Sequence, residues 1–177
     1  MSRTNPYKKK RRSASRTLLM YGEGLGEEIF LKHLKSLYSR DSGVAVTVRN
    51  GRGGTALDVI LNAVREPGDF NRKIVIIDND KGSEEINAAR AEAKQRGIEL
   101  IENTPCLEWL LLSILDRTTA ANRASEWYKH EFESNYLDKR KRTDPREFER
   151  VFPKSLLEKR RAQIAVLNNL ISLMEGK

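Results

Sequence analysis

The run Ile74-Val75-Ile76-Ile77 constrains this chain more than any other four residues. Branched apolar side chains without a polar interruption suit a strand buried on both faces, and such strands belong to parallel sheets covered by helices. The surrounding pattern agrees. Thr17 to Tyr21 is another short apolar run, Val44, Val46 and Val48 alternate as in a half-buried strand, and Ile98-Glu99-Leu100-Ile101 makes a fourth. Amphipathic stretches separate them. Ile29, Phe30, Leu34 and Leu37 predict a helix over residues 26–39, and Thr55 caps one whose apolar side includes Leu57, Ile60, Leu61 and Val64, ended by Pro67-Gly68. A third is capped by Ser83 and ends at Arg96-Gly97, and a fourth starts at Pro105 and carries Leu107, Leu110, Leu111 and Ile114. The order β-α-β-α-β-α-β-α predicts an α/β fold of parallel strands joined by right-handed helical crossovers.

From residue 117 the strand signals stop. Trp127, Tyr128, Phe132, Tyr136, Phe148, Val151 and Phe152 predict packed helices, and Leu167, Leu170, Ile171 and Met174 give the last stretch an apolar face. Residues 1–16 read as a basic flexible arm, 17–116 as the α/β domain, and 117–177 as a helical extension packed on that domain.

Charge is divided along the chain. The arm holds seven bases and no acid, residues 17–116 hold twelve bases against sixteen acids, and residues 117–161 hold thirteen against eight. Basic segments flanking an acidic centre attract polyanions, so a nucleic acid is the natural partner, with Lys8, Lys9, Lys10, Arg11 and Arg12 as its first contacts. As a solvated tail the same arm needs no partner. The longest apolar stretch, Leu107 to Leu115, contains Glu108 and is too short to span a bilayer. The basic N-terminus lacks the apolar segment of a secretory signal, and the single cysteine, Cys106, has no internal disulfide partner. Both facts suit a cytoplasmic protein.

Two acidic motifs follow predicted strands: Glu23-Gly24-Leu25-Gly26-Glu27 after the first and Asp78-Asn79-Asp80 after the third. Ligands of open α/β sheets sit beyond the carboxyl ends of the strands. If those strands are neighbours, Glu23 and Glu27 approach Asp78 and Asp80, which share one face while the chain stays extended. Carboxylates so crowded repel one another unless cations intervene, and Mg²⁺ or Mn²⁺ prefers such oxygen ligands. Taken singly the motifs are ordinary, since Asp and Asn favour turns and Glu favours a first helical turn. Glu23, between two glycines, has no such explanation. A dinucleotide turn is disfavoured, because the fingerprint wants glycine where Glu27 stands and two carboxylates would repel a pyrophosphate.

These motifs resemble those of the Toprim domains and, within them, of the RloB-like proteins. The glutamate turn resembles their first motif, Ile76 to Asp80 their second, and Asn103-Thr104-Pro105-Cys106-Leu107-Glu108-Trp109 their third block, over about Leu18 to Leu115. Gly26 stands where RloB-like proteins usually carry threonine. The resemblance implies a Toprim (Rossmann-like) four-stranded parallel sheet flanked by helices, with a helical C-terminal extension. It implies that Glu23, Glu27, Asp78 and Asp80 bind one or two Mg²⁺ or Mn²⁺ ions, with Glu108 as an outer or second-metal ligand. It also implies association with phage-defence loci, often beside an ATPase.

The expected activity is metal-dependent cleavage of phosphodiester bonds in DNA or RNA. Glu23, Asp78 and Asp80 form the catalytic centre, Lys81 is the nearest base to stabilise the phosphate, Lys129 is a further candidate, and Arg52 touches a phosphate from its glycine loop. For those three bases a solvated surface is the competing reading. A non-catalytic nucleic-acid-binding subunit and an ATPase partner are the rival functions, and the aromatic C-terminal helices offer a surface for a homodimer.

Overall fold

A computed structural model describes residues 16–51, 53–117, 123–138 and 140–177. Four parallel strands, β1 (Arg16–Gly22), β2 (Val44–Asn50), β3 (Arg72–Asp78) and β4 (Glu99–Asn103), form one sheet in the order β2-β1-β3-β4. Helices α1 (Leu25–Tyr38), α2 (Ala56–Arg65) and α3 (Ser83–Gln95) cross between them, and α4 (Leu107–Ile114) follows β4. This is an α/β protein with a Rossmann-like arrangement.

Alternation along the strands builds two cores. Leu18, Met20, Ile74 and Ile76 pack on one face with α1 and α4, while Leu19, Tyr21, Val75 and Ile77 pack on the other with α2 and α3. β3 is therefore buried on both sides, as its unbroken apolar run requires. β2, on the sheet edge, buries Val46 and Val48 on a single side.

Several boundaries differ from the sequence reading. Gly82, not Ser83, is the cap residue of α3, and Ser83 is its first helical residue. The helix after β4 begins at Leu107, because Thr104-Pro105 still belongs to the turn. α2 buries Ala56, Val59, Ile60 and Ala63, leaving Leu57 and Leu61 half-buried. Small alanines let that helix approach its neighbours more closely than leucines would.

The remaining helices are α5 (Ser125–Asn135), α6 (Pro145–Val151), α7 (Lys154–Arg161) and α8 (Ala165–Met174). They share the α1 core rather than forming a second one. Phe148 and Phe152 stack tilted with centroids 5.0 Å apart, and both lie 6.3 Å from Phe30 of α1. Tilted and edge-to-face aromatic packing of this kind holds the extension against the sheet domain. Trp127 departs from the expected packing and is 37% exposed. Among the described residues no helix is long and apolar enough to cross a membrane.

Candidate metal centre

The sheet order makes β1 and β3 neighbours, so the acidic turns at their carboxyl ends meet. Glu23 N donates to Ile76 O at 3.1 Å, which extends the β1–β3 pairing one step past the strand. The Glu23 Oε2 atom accepts from Asp78 N at 3.4 Å. Gly22 explains how Glu27 joins them: a Cβ there would stand 2.5 Å from the Cβ of Glu27. Only glycine lets the first turn of α1 fold back so closely. Glu27 is buried, and its Oε2 accepts from Gly24 N at 2.9 Å.

Asp78 is buried against the start of α4. Its Oδ1 accepts from Leu107 N at 2.9 Å and from Asn103 Nδ2 at 3.2 Å. The carboxylate thus sits at a helix N-terminus, where peptide N–H groups favour negative charge. Burial nevertheless pushes its pKa up to about 8, helped by the charges of Glu27, Glu108 and Glu23. Burial also raises Glu27, with Glu108 and Glu23 adding to the effect. Glu108 is raised by burial too, and its Oε2 is buried without a hydrogen-bond partner.

Asp80 lies beyond the strand, which ends at Asp78, so the extended-chain reason for pairing the two aspartates does not apply. Asp80 is instead an exposed residue whose side chain is 22% exposed, with Oδ2 4.0 Å from Lys129 Nζ. Two lysines border the acidic cluster. Lys81 Nζ is 2.8 Å from Glu23 Oε1, 3.7 Å from Glu85 Oε1, and donates to Gly54 O at 2.8 Å. Burial pulls the pKa of Lys129 down, but Glu108, Asp80 and Asp78 outweigh it, and the net shift is upward. Lys129, named from the sequence as a further candidate, lies beside Asp80. It reaches the site because it borders the face of α5 that Ser125, Tyr128 and Phe132 bury in the core.

Glu23, Glu27, Asp78 and Glu108 therefore interact electrostatically, with Lys81 and Lys129 at the border. Among the described residues no three His, Cys, Asp or Glu side chains converge as closely as a metal ion requires. Arg52 and Lys8, Lys9, Lys10, Arg11 and Arg12 lie outside the described residues.

No protein-family model, curated protein or solved structure matches this chain.

Proposed function

We propose that the chain is a Toprim protein of RloB-like type, a Mg²⁺- or Mn²⁺-dependent nuclease acting on DNA or RNA. One observation supports this reading: because β1 and β3 pair, the acidic turns at their ends bring Glu23 Oε2 to Asp78 N and bury Glu27 and Asp78 together, where burial first and the neighbouring carboxylates second raise the pKa of both. Such crowding fits a hard dication, whose charge relieves the repulsion that protons otherwise relieve. Glu23, Glu27, Asp78 and Asp80 would hold it, with Glu108 behind them, and their side chains would have to move together to do so. A bound dication supplies Lewis acidity toward the phosphoryl oxygens and acidifies water.

The chain's own groups then divide the remaining work. Lys129 and Lys81 place positive charge beside the acidic cluster, where charge accumulating on a phosphate needs it. Lys81 also fixes Glu23 through its contact with Oε1. Asp78, its pKa raised by burial to about 8, holds a proton at neutral pH while no cation is bound, and burial shifts Glu27 in the same direction. The Lys81–Glu23 ion pair also favours a second reading, because it neutralises one carboxylate internally. In that reading the chain is a non-catalytic nucleic-acid-binding or ATPase-partner subunit of a defence complex.

Calorimetric titration with Mn²⁺ separates the two. The nuclease reading expects a site in the wild type that a Glu23→Gln/Asp80→Asn protein loses. Equal binding by both proteins, or none by the wild type, sinks it.

A further inference from the structure

A cavity of about 450 Å³ lies between α1 and α6, outside the acidic centre. Leu25 and Ile29 form one wall, and Pro145 and Phe148 form the other. Leu25 is 42% exposed, unusual for a large aliphatic residue, and lies two positions from Glu23. The slot therefore opens beside the acidic turn.

His33 lines this cavity and is itself only 8% exposed. Its Nε2 lies 2.8 Å from Phe152 O. A carbonyl can only accept, so Nε2 carries the proton. Burial lowers the pKa of His33 and keeps the ring neutral. Nδ1 is left as an acceptor, and no described residue donates to it.

At its far rim the cavity shares Lys32 and Ser36 with a shallower depression of about 360 Å³ that adds Lys35 and Arg40. Lys32 is paired with Glu28 at 2.7 Å. Lys35 and Arg40 have no ion-pair partner among the described residues. Burial, then the charges of Arg49 and Lys32, lower the pKa of Lys35, as expected of positive charge left uncompensated.

Glu28 and Glu149 also line the slot, so its apolar walls carry acceptors for base N–H groups (His33 Nδ1 and these carboxylates), and the slot continues onto a shelf where Lys35 and Arg40 lack ion-pair partners among the described residues; this combination matches a heterocyclic base joined to a phosphate. We propose that the α1–α6 groove binds one unpaired nucleotide of a nucleic-acid strand, with its base between Ile29 and Phe148 and its phosphate on Lys35 and Arg40. A base N–H group donates to His33 Nδ1. Lys35 stands about 12 Å beyond Glu27 along the helix, at about 1.5 Å per residue, so the strand runs from the acidic turn along α1. A base in this slot has left any duplex stack, which makes single-stranded or looped nucleic acid the substrate class. The inference rests on the nucleic-acid part of the proposed function and not on cleavage.

Fluorescence anisotropy in EDTA tests it, using short labelled single strands of DNA and RNA against the matching duplexes. Free nucleoside monophosphates and inorganic phosphate serve as competitors. Ile29→Trp fills the slot and Lys35→Glu reverses the shelf, and neither touches a carboxylate of the acidic centre. The wild type is expected to prefer single strands, each variant to weaken them about ten-fold, and Lys35→Ala to flatten the salt dependence by about 0.7 in slope. Unchanged affinity in both folded variants overturns the inference, as do equal binding of duplex and tighter binding of free nucleotide than of a strand. If these losses appear in a protein that cuts nothing, the groove stands and the nuclease reading falls. If the wild type cuts while the variants bind and cut as it does, the groove alone falls. A wild type that binds neither single strands nor duplexes removes the groove and the nucleic-acid part of the proposed function together.

Discussion

Gly22→Ala strikes the packing that brings Glu27 to the acidic centre. The added Cβ would stand 2.5 Å from the Cβ of Glu27 and 3.3 Å from Glu28 N. Carbon atoms in contact stay about 3.5–4.0 Å apart, so about 1.0–1.5 Å of displacement is required. Neither obstacle is the tip of a flexible side chain. Both move only with the first turn of α1, which also carries the Glu27–Gly24 hydrogen bond. Overpacking of this kind costs about 1–3 kcal/mol, or about 2–12 °C of melting temperature in a chain of this size. Gly82→Ala is the matched control. It sits beside Lys81, has no atom within 4 Å of the added Cβ, and has a φ of −51° that alanine adopts freely. Thermal melts paired with Mn²⁺ titration make the comparison. Gly22→Ala should melt lower and lose cation affinity, while Gly82→Ala should match the wild type or exceed its stability slightly. Wild-type melting and wild-type Mn²⁺ binding in Gly22→Ala would refute the packing argument.

Other outcomes follow from the same site. In EDTA, stability should fall as pH rises from about 3.8 to 8, because folded Asp78 keeps a proton that the unfolded chain has released. Its contribution is complete below the lower value, and the slope reaches about 1.4 kcal/mol per pH unit. Glu27 acts in the same direction. His33, with its lowered pKa, acts oppositely as pH drops below 6.5. Urea midpoints across this range should flatten in Asp78→Asn, and identical profiles for the two proteins would count against the burial of Asp78. Lys129→Met removes a positive charge beside Glu108 and Asp80. Cleavage should drop about 100-fold while Mn²⁺ binds at least as tightly, so weaker Mn²⁺ binding would assign Lys129 a structural role instead.

The acidic turns were legible because their positions follow from local patterns. An unbroken apolar run predicts a central strand, and the residue after such a strand lies at the carboxyl edge of the sheet. Glu23 and Asp78 then meet because β1 and β3 pair. Asp80 was less legible, since strand periodicity stops at Asp78 and only tertiary packing sets the path beyond it. The nearness of Lys129, a candidate from the sequence, to Asp80 was not legible for a related reason: α5 comes from the extension, and the burial of Tyr128 and Phe132 decides which side of that helix borders Asp80. The cap of α3 moved to Gly82 because no side-chain hydrogen bond closes that helix end. Trp127, expected inside with the other aromatics, stays partly exposed with its ring edge-on to Tyr128 at 5.3 Å and the Arg123 guanidinium 6.0 Å from its centroid.

The central claim is that these carboxylates serve metal-dependent phosphodiester cleavage. It is tested most directly by incubating supercoiled plasmid, single-stranded DNA and total tRNA with the wild type and with Glu23→Gln, in Mg²⁺, Mn²⁺ or EDTA. The account predicts cutting of at least one substrate that needs the cation and disappears in Glu23→Gln. Cutting that survives EDTA or the substitution, or no cutting of any substrate by wild-type protein that binds nucleic acid, would contradict it.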